Sequence, residues 1–323
     1  MRAPGTSVSY QQETRMTLRP GGDSHRRTVQ LLPIALLALA LGTCLAYSKS
    51  TATAFTGLVW NADGGPFEVV RGDNLLSGSK GVTLLAGDMV ETGPNAFLAI
   101  EAQEGTRIGI GPSTEVYFPQ RTDITTLVVL KGWVKAAVKS DPLRVVGTRL
   151  GIQGHQSVFL LYASERYDAV FDEQGFATLL LREDTATRVG KEIQPNQFFR
   201  REDGTDVISQ PRPSPEFVDR MPTPFWDNLP EPASHVDAVT PQLVRAVTYS
   251  DIQTWLTMPR DWRAGFIGRF RARIKDPAFF AAMDSHLALH PEWTPVLHPP
   301  PPPDPDRPGG LQPGGEQTQR RTR

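Results

Sequence analysis

Cysteine is almost absent from this chain of 323 residues, and other features that point directly to a function are scarce too. One cysteine cannot form an intramolecular disulfide or a cysteine-rich zinc site. The 34 Lys and Arg residues balance 35 Asp and Glu residues, so the chain lacks the basic excess typical of nucleic-acid-binding proteins. A single apolar run excludes a polytopic membrane protein. We expect a mostly globular protein with no metal, no cofactor and no nucleic-acid partner.

Motifs with a known catalytic mechanism are also scarce. The chain has no Gly-x-Ser-x-Gly, no phosphate-binding loop and no dinucleotide fingerprint. Ser77-Gly-Ser-Lys80 matches Ser-x-x-Lys, but its glycine-rich surroundings indicate a turn. His286 and His290 are spaced to share a metal on a helix, yet no Glu follows His286. The sequence therefore predicts neither a catalytic residue nor a metal site.

The apolar run spans residues 29–47 and follows a cationic flank. Positive charge before such a run orients a signal peptide or a signal anchor. The run is nearly as long as the ~20 residues that cross a bilayer, so a cleaved signal and a retained anchor both remain open. We expect residues 1–54 to be a cytoplasmic flank plus this segment, with the rest exported to the periplasm or anchored facing it. The flanking cations are Arg15, Arg19, Arg26 and Arg27.

Cys44 lies near the end of the apolar run, in Leu41-Gly42-Thr43-Cys44. Bacterial lipoproteins carry a similar box, with Leu three positions before an acylated cysteine. Thr43 stands here where Gly or Ala is usual. Cys44 is therefore a candidate for lipidation, and the other interpretation is a small apolar residue of the export signal.

Residues 55–209 have the pattern of a β domain. Short runs of Val, Leu, Ile and Phe alternate with Gly, Asn, Asp or Pro at intervals of roughly 8–12 residues. No helical periodicity interrupts them. This spacing predicts an antiparallel β sandwich or roll rather than βαβ units.

An ordered set of short motifs lies within this region. Leu85-Ala-Gly-Asp-Met-Val-Glu-Thr-Gly93 precedes Ala96-Phe-Leu-Ala-Ile, and Pro112-Ser-Thr-Glu-Val and Leu130-Lys-Gly-Trp-Val follow. Together they resemble the signature of FecR-type domains, in which a Gly-Asp turn ends in Thr-Gly before a strand. The resemblance covers residues 57–200. It marks the turn residues of the family motif as Gly87, Asp88, Thr92 and Gly93.

The amino-terminal flank departs from the FecR pattern. FecR regulators of iron transport carry a longer helical cytoplasmic segment that controls a sigma factor, whereas 28 residues without helical periodicity precede the apolar run here. The resemblance thus implies the β fold, and we expect a non-enzymatic exported protein that binds or scaffolds an envelope protein, glycan or lipid, with a place in envelope signalling. Two alternatives remain. One is a cell-wall glycan hydrolase that uses Asp88, Glu91 or Glu101, and the other is a membrane-tethered transcriptional regulator.

The last third of the chain has three segments. Prolines concentrate in residues 210–245, which forbids a helix or a central strand there. We expect this segment to lie extended on the β domain with its apolar side chains buried; a solvated spacer is the alternative. Residues 246–297 predict a small helical module, and residues 298–323 predict a disordered tail rich in Pro, Gly and Arg.

The predicted helical module contains helix caps, an aromatic stripe and a cluster of cations. Ser250 is placed to cap a first helix, an aromatic stripe recurs every four residues from Trp262 to Ile274, and Asp276-Pro277 opens a helix reaching His290. Cations cluster opposite the stripe. They predict a surface for an anionic partner such as lipid phosphate, with a plain solvated face as the alternative. The residues of this surface are Arg263, Arg269, Arg271 and Arg273.

Overall fold

The β-branched and aromatic runs of the central region become strands, and the protein is mainly β as predicted. The computed structural model describes residues 54–300, except residues 121, 184–185 and 233–234. The predicted signal or anchor at 29–47, Cys44 and the tail from residue 301 lie outside the described residues. No helix within the described part of the chain is long and apolar enough to cross a membrane.

Sixteen strands form one hydrogen-bonded sheet within the described residues. The strands are β1 Thr56–Asp63, β2 Phe67–Arg71, β3 Asn74–Ser77, β4 Thr83–Leu85, β5 Met89–Thr92, β6 Phe97–Ala102, β7 Arg107–Ile110, β8 Glu115–Tyr117, β9 Thr125–Val138, β10 Leu143–Val146, β11 Leu150–Ala163, β12 Tyr167–Glu183, β13 Ala186–Ile193, β14 Phe198–Glu202, β15 Ile208–Gln210 and β16 Gln242–Ala246.

The sheet folds on itself into two layers because three long strands take part in both. The second halves of β9 and β11 and the first half of β12 join β4, β1, β6, β7, β14 and β15 in layer one. The other halves of the same strands join β16, β3, β2, β5, β8, β10 and β13 in layer two. The predicted sandwich is therefore built by strands that pass from one layer to the other.

Each of the three long strands bends at a residue with positive φ. Gly132 in β9 has φ +93°, Gln156 in β11 has φ +47° and Gly175 in β12 has φ +97°. The ladders slip in register beside these residues, as expected at β-bulges that redirect a strand. The bends allow 14-residue and 17-residue strands to serve two layers.

Pairing in the sheet is mixed rather than purely antiparallel. β9 and β10 run parallel, and an isolated parallel bridge joins Val82 to Val239. The prediction of an antiparallel sheet holds for the other strand pairs. Between the layers lies a core of buried apolar side chains from nearly every strand, including Val59, Val134 and Phe159.

The helices of the carboxyl-terminal third are short. They are α1 Pro215–Arg220, α2 Tyr249–Leu256, α3 Arg260–Arg263, α4 Phe266–Phe270, α5 Pro277–Ser285 and α6 Thr294–Leu297, with 3-10 turns at Thr223–Phe225, Arg271–Lys275, Leu287–Leu289 and Pro291–Trp293.

The helix boundaries differ from the predicted ones in three places. Thr248, not Ser250, caps α2, through a capping box with Asp251. The aromatic stripe from Trp262 to Ile274 is divided among α3, α4 and a 3-10 turn instead of one helix. Asp276 caps α5 as predicted, but α5 ends at Ser285 rather than at His290.

The proline-rich segment covers the outer face of layer one. Phe217, Phe225 and Leu229 are 1%, 0% and 2% exposed and pack on outward side chains of β6, β9, β11, β12 and β14. Lys135 of β9, itself fully buried, donates from Nζ to the carbonyls of Phe225 (2.8 Å) and Asp227 (3.0 Å). The segment therefore packs along the β domain with its apolar side chains buried. The prediction that its prolines forbid a helix is wrong, because α1 Pro215–Arg220 forms with Ser214 as its cap and Pro215 at its first position, where proline is tolerated.

The helical module, residues 247–297, covers the outer face of layer two. Its buried aromatic side chains share one cluster with Val70, Met89 and Tyr117 of the sheet. A second attachment joins α3 to the end of β12. Here Arg182 donates to both carboxylate oxygens of Asp261 (2.8 and 3.0 Å) and stacks on Trp262.

We predict that Gly132→Ala destabilises the protein by roughly 2–4 kcal/mol, because a Cβ at this positive φ would overlap the backbone of Thr114. Urea denaturation measures this loss. Gly268→Ala is the matched control: a Cβ there meets nothing within 4 Å, and alanine favours helix α4. Equal stability of the Gly132→Ala variant and the parent protein would contradict the assignment of Gly132 as the bend of β9.

Candidate functional site

The Gly-Asp turn, whose sequence resembles the FecR motif, connects β4 to β5. Asp88 is 1% exposed, and its carboxylate accepts hydrogen bonds from Arg71 Nε (2.9 Å) and Nη2 (2.6 Å). It also accepts one from the backbone amide of Leu85 (2.8 Å), the turn contact that the sequence suggested. A bidentate guanidinium is the strongest common partner for a carboxylate. The side chain of Asp88 thus stabilises the turn between β4 and β5.

The Thr-Gly end of the motif ties β5 to the turn before β8. Thr92 is buried; its hydroxyl donates to Gly111 O (2.7 Å) and accepts from Thr114 N (2.8 Å). Gly93 O accepts from the amides of Ala96 (3.1 Å) and Ser113 (3.0 Å). The motif residues therefore act together as a structural clasp that holds both ends of β5 in layer two.

Arg269 of α4 attaches the helical module to this clasp. Its guanidinium donates to the carbonyls of Val70 (2.7 Å), Gly72 (2.7 Å) and Gly87 (2.6 Å). Burial lowers the pKa of Arg269 from its ordinary value, while the nearby Tyr117 and Asp88 oppose this change. Three carbonyl acceptors compensate for the loss of water around the cation.

The predicted cationic surface of the module is mostly used inside the protein. Arg263 is 9% exposed, donates to Leu256 O and Leu289 O, and lies 3.2 Å from Glu292. Arg273 donates to Val247 O and to Asp276. Of the four predicted arginines, only Arg271 is exposed. The sequence pattern missed this because it cannot show which cations find carbonyl partners.

The acidic residues considered for glycan hydrolysis lie in both layers. Glu91 is on the outer face of layer two, between Glu68 and Glu115 of the neighbouring strands. Burial and the charge of Glu115 raise its pKa. Glu101 is exposed at the end of β6 in layer one. The structure thus places Glu101 in a different layer from Asp88 and Glu91, which lie close in sequence just before and near the end of β5.

His286 and His290 meet around Tyr249, with ring centroids 5.0 and 5.9 Å from the tyrosine ring. His290 is fully buried, and burial lowers its pKa. No group of three or more His, Cys, Asp or Glu side chains within the described residues is arranged to hold a metal.

The two ends of the Ser-x-x-Lys match, Ser77 and Lys80, lie at the end of β3 and in the turn that follows.

Two buried carboxyls of β12 have neutral-range pKa values that the sequence did not indicate. Burial raises the pKa of Asp172 to about 7, and neither of its carboxylate oxygens has a hydrogen-bond partner among the described residues. Burial raises the pKa of Asp168 to about 6, although the amides of Arg149 (2.6 Å) and Leu150 (3.1 Å) donate to it. Alternation along the strand places both side chains inward. The neighbouring sequence, however, does not show that Asp168 has hydrogen-bond donors nearby whereas Asp172 has none among the described residues.

A polar and aromatic cavity, which we call the corner groove, lies beside the bend of β9. It has a volume of about 550 Å³. Its lining comes from five separate parts of the chain, and this is why no sequence motif pointed to it. The lining consists of residues 112–113, 131–133 and 162–167, together with Arg200, Glu216 and Arg220.

The chain has only weak similarity to known proteins. No family model and no curated protein matches the chain. Two crystal structures of a "putative anti-sigma factor" from Parabacteroides distasonis ATCC 8503, at 1.65 and 2.50 Å resolution, each match with a TM-score of 0.33 and 14% identity. The match covers 38% of this chain and 59% of theirs. A likeness this weak carries no argument about function.

We predict that Arg269→Met loosens the helical module, because the carbonyls of Val70, Gly72 and Gly87 lose their shared donor. The expected loss is roughly 2–4 kcal/mol, accompanied by faster proteolysis within residues 247–297. Urea denaturation and limited proteolysis measure both effects. Arg271→Met removes an exposed cation of the same type and should change neither; equal behaviour of the two variants would count against the assigned anchor.

We predict that the orphaned carboxyl of Asp172 makes stability fall as pH rises. Its pKa is raised in the folded protein to about 7 and is ~3.9 in an unfolded chain. The folded state therefore retains a proton that the unfolded state releases, and the free energy of unfolding decreases between about pH 4 and 7. Asp172→Asn should remove the share of that decrease that Asp172 contributes and stabilise the protein at pH 8 by about 1–4 kcal/mol. The smaller decrease between about pH 4 and 6 that arises from Asp168, whose pKa is raised to about 6, should remain.

Asp168→Asn is the control for this experiment, since its carboxylate serves Arg149 and two backbone amides. We expect it to destabilise the protein at pH 8, measured by urea denaturation across pH 4–9. A stability profile of Asp172→Asn parallel to that of the parent protein would show that Asp172 does not titrate in this range.

Proposed function

We propose that this chain is an exported, non-catalytic protein of the bacterial cell envelope, built on a FecR-type β domain, that binds another envelope component and takes part in envelope signalling. The observation that carries the proposal is that the residues of the FecR-like motif are all used in structural contacts. Gly87, Asp88, Thr92 and Gly93 are all engaged in the clasp between strands and module. A motif used in this way supports a binding scaffold rather than a reaction centre.

The organisation of the carboxyl-terminal third supports the same proposal. The proline-rich segment and the helical module cover the two apolar outer faces of the sandwich. What remains accessible is polar or lies at edges and grooves, which are the surfaces that non-catalytic modules present to partners. The cationic flank and apolar run at residues 29–47 support export.

The glycan hydrolase is the competing function, and Asp88 is its best candidate residue. Catalysis by a carboxyl pair needs two groups on either side of one glycosidic bond, ~5–10 Å apart. The carboxylate of Asp88 instead accepts from Arg71 and Leu85, and Glu91 and Glu101 belong to different layers. The use of the Asp88 carboxylate in the turn and the placement of Glu101 in the other layer favour the binding function.

A two-part experiment tests the proposal. We expect a carboxyl-terminally tagged full chain to fractionate with the periplasm or the inner membrane, and its intact mass to distinguish cleaved, lipidated and anchored forms. We also expect the purified protein to release no muropeptides from peptidoglycan sacculi. Export would be refuted by recovery in the cytoplasm, and the non-catalytic role by muropeptide release that Asp88→Asn or Glu91→Gln abolishes.

A further inference from the structure

His290 is a fully buried histidine of the helical module. Its side chain is 0% exposed, and neither of its ring nitrogens has a hydrogen-bond partner among the described residues. A neutral imidazole is buried in this way at a moderate cost in free energy. An imidazolium carries a charge and two N–H donors, so its burial without acceptors costs far more. Protonation therefore strongly disfavours the buried position of His290.

The groups around His290 come from four elements of the module. Tyr249 of α2 faces the imidazole with the two ring centroids 5.9 Å apart. Arg263 of α3 and His286, just after α5, disfavour a further positive charge, whereas Glu292 of the following 3-10 turn favours one. The carboxylate of Glu292 already lies 3.2 Å from the guanidinium of Arg263. Burial is the largest of these effects, and the pKa of His290 is lowered from its ordinary value.

The chain around His290 is held mainly by side chains. Residues 286–297, which we call the terminal turns, comprise two 3-10 turns and the four-residue helix α6. Their backbone hydrogen bonds join residues of the same segment, as from His290 N to Leu287 O (3.1 Å). Trp293 and Leu297 attach the segment through the apolar cluster of the module. A segment held in this way opens at a lower free-energy cost than a hydrogen-bonded sheet.

Acid acts on the sandwich in the opposite direction. Burial raises the pKa of Asp172 to about 7 and that of Asp168 to about 6, so protonation of these carboxyls stabilises the sandwich as pH falls. His290 has the opposite sign, because an imidazole released into water binds a proton near its ordinary pKa of ~6.5 and the buried imidazole binds it less well. The closed position of the terminal turns therefore loses stability in mild acid, while the sandwich gains stability.

We propose that the terminal turns are an acid-released segment of the helical module and that protonation of His290 triggers their release. At neutral pH the turns bury Trp293 and Leu297 in the apolar cluster of the module. In mild acid the charged imidazole moves into water, and the turns open and expose these two side chains. The inference goes beyond the proposed envelope-binding function and does not depend on it.

Hydrogen–deuterium exchange on the full chain tests the proposal at about pH 7.5 and about pH 5, with rates corrected for the pH dependence of intrinsic exchange. We expect the protection of residues 286–297 to fall about five- to thirtyfold in acid. The upper value applies if the imidazole binds a proton, at ~6.5, only after the turns open. The protection of β9 and β11 should not fall. His290→Leu, which removes the ionisable group, should abolish the acid response.

The matched control is His286→Gln, which removes an exposed histidine stacked on the same Tyr249 ring with the centroids 5.0 Å apart. It should retain the acid response within about twofold. The proposal is overturned if the terminal turns of the parent protein keep their protection at about pH 5, or if β9 and β11 lose theirs equally. It is also overturned if His290→Leu retains the response or His286→Gln abolishes it.

An NMR titration of the parent protein decides the matter if His290→Leu does not fold. The proposal then requires one imidazole that titrates below the ordinary pKa of ~6.5 while the sandwich remains folded. Titration of every imidazole at or above that value overturns it.

Discussion

The two outer faces of the sandwich are apolar, and the rest of the structure follows from the need to keep water from them. A β sandwich normally turns one face of each sheet to solvent and needs apolar side chains only on the inner faces. Here Trp133, Leu160 and Phe198 point outward from layer one, and Met89 and Tyr117 point outward from layer two. The carboxyl-terminal third supplies a cover for each face, so the β domain and its appendages share two packed apolar clusters.

The two covers are held by buried cations as well as by apolar contact. Lys135 donates hydrogen bonds to two carbonyls of the proline-rich segment. Arg269 donates to the carbonyl of Gly87, in the turn between β4 and β5. A proline-rich segment cannot pair as a central strand, and short helices leave many carbonyls free. The long side chains of Lys and Arg can donate hydrogen bonds to such carbonyls from a neighbouring segment. The basic residues that look like a binding surface in the sequence therefore serve mainly as internal anchors.

The features that the sequence predicted well are local ones. Alternation of apolar and polar residues located the strands, and turn residues located their ends. The cap at Asp276 and the turn contact of Asp88 were accessible because both depend on backbone groups within three residues. The divided aromatic stripe after Trp262 was not predicted, since the period of four residues does not show where a helix breaks to fit a curved sheet.

The sequence by itself determined a β-rich domain, its clasp motif, a proline-rich segment with buried apolar residues and a small helical module. Tertiary structure alone decided that β9, β11 and β12 pass through both layers and that the Asp172 carboxyl is buried with no hydrogen-bond partner in the part of the chain that the structure describes. It also decided that Lys131, Arg166 and Arg220 surround one cavity. The physical reason is the distance along the chain: the residue pattern encodes interactions within a strand or turn. The corner groove instead joins side chains from five distant segments, which meet only when the bends at positive φ have formed.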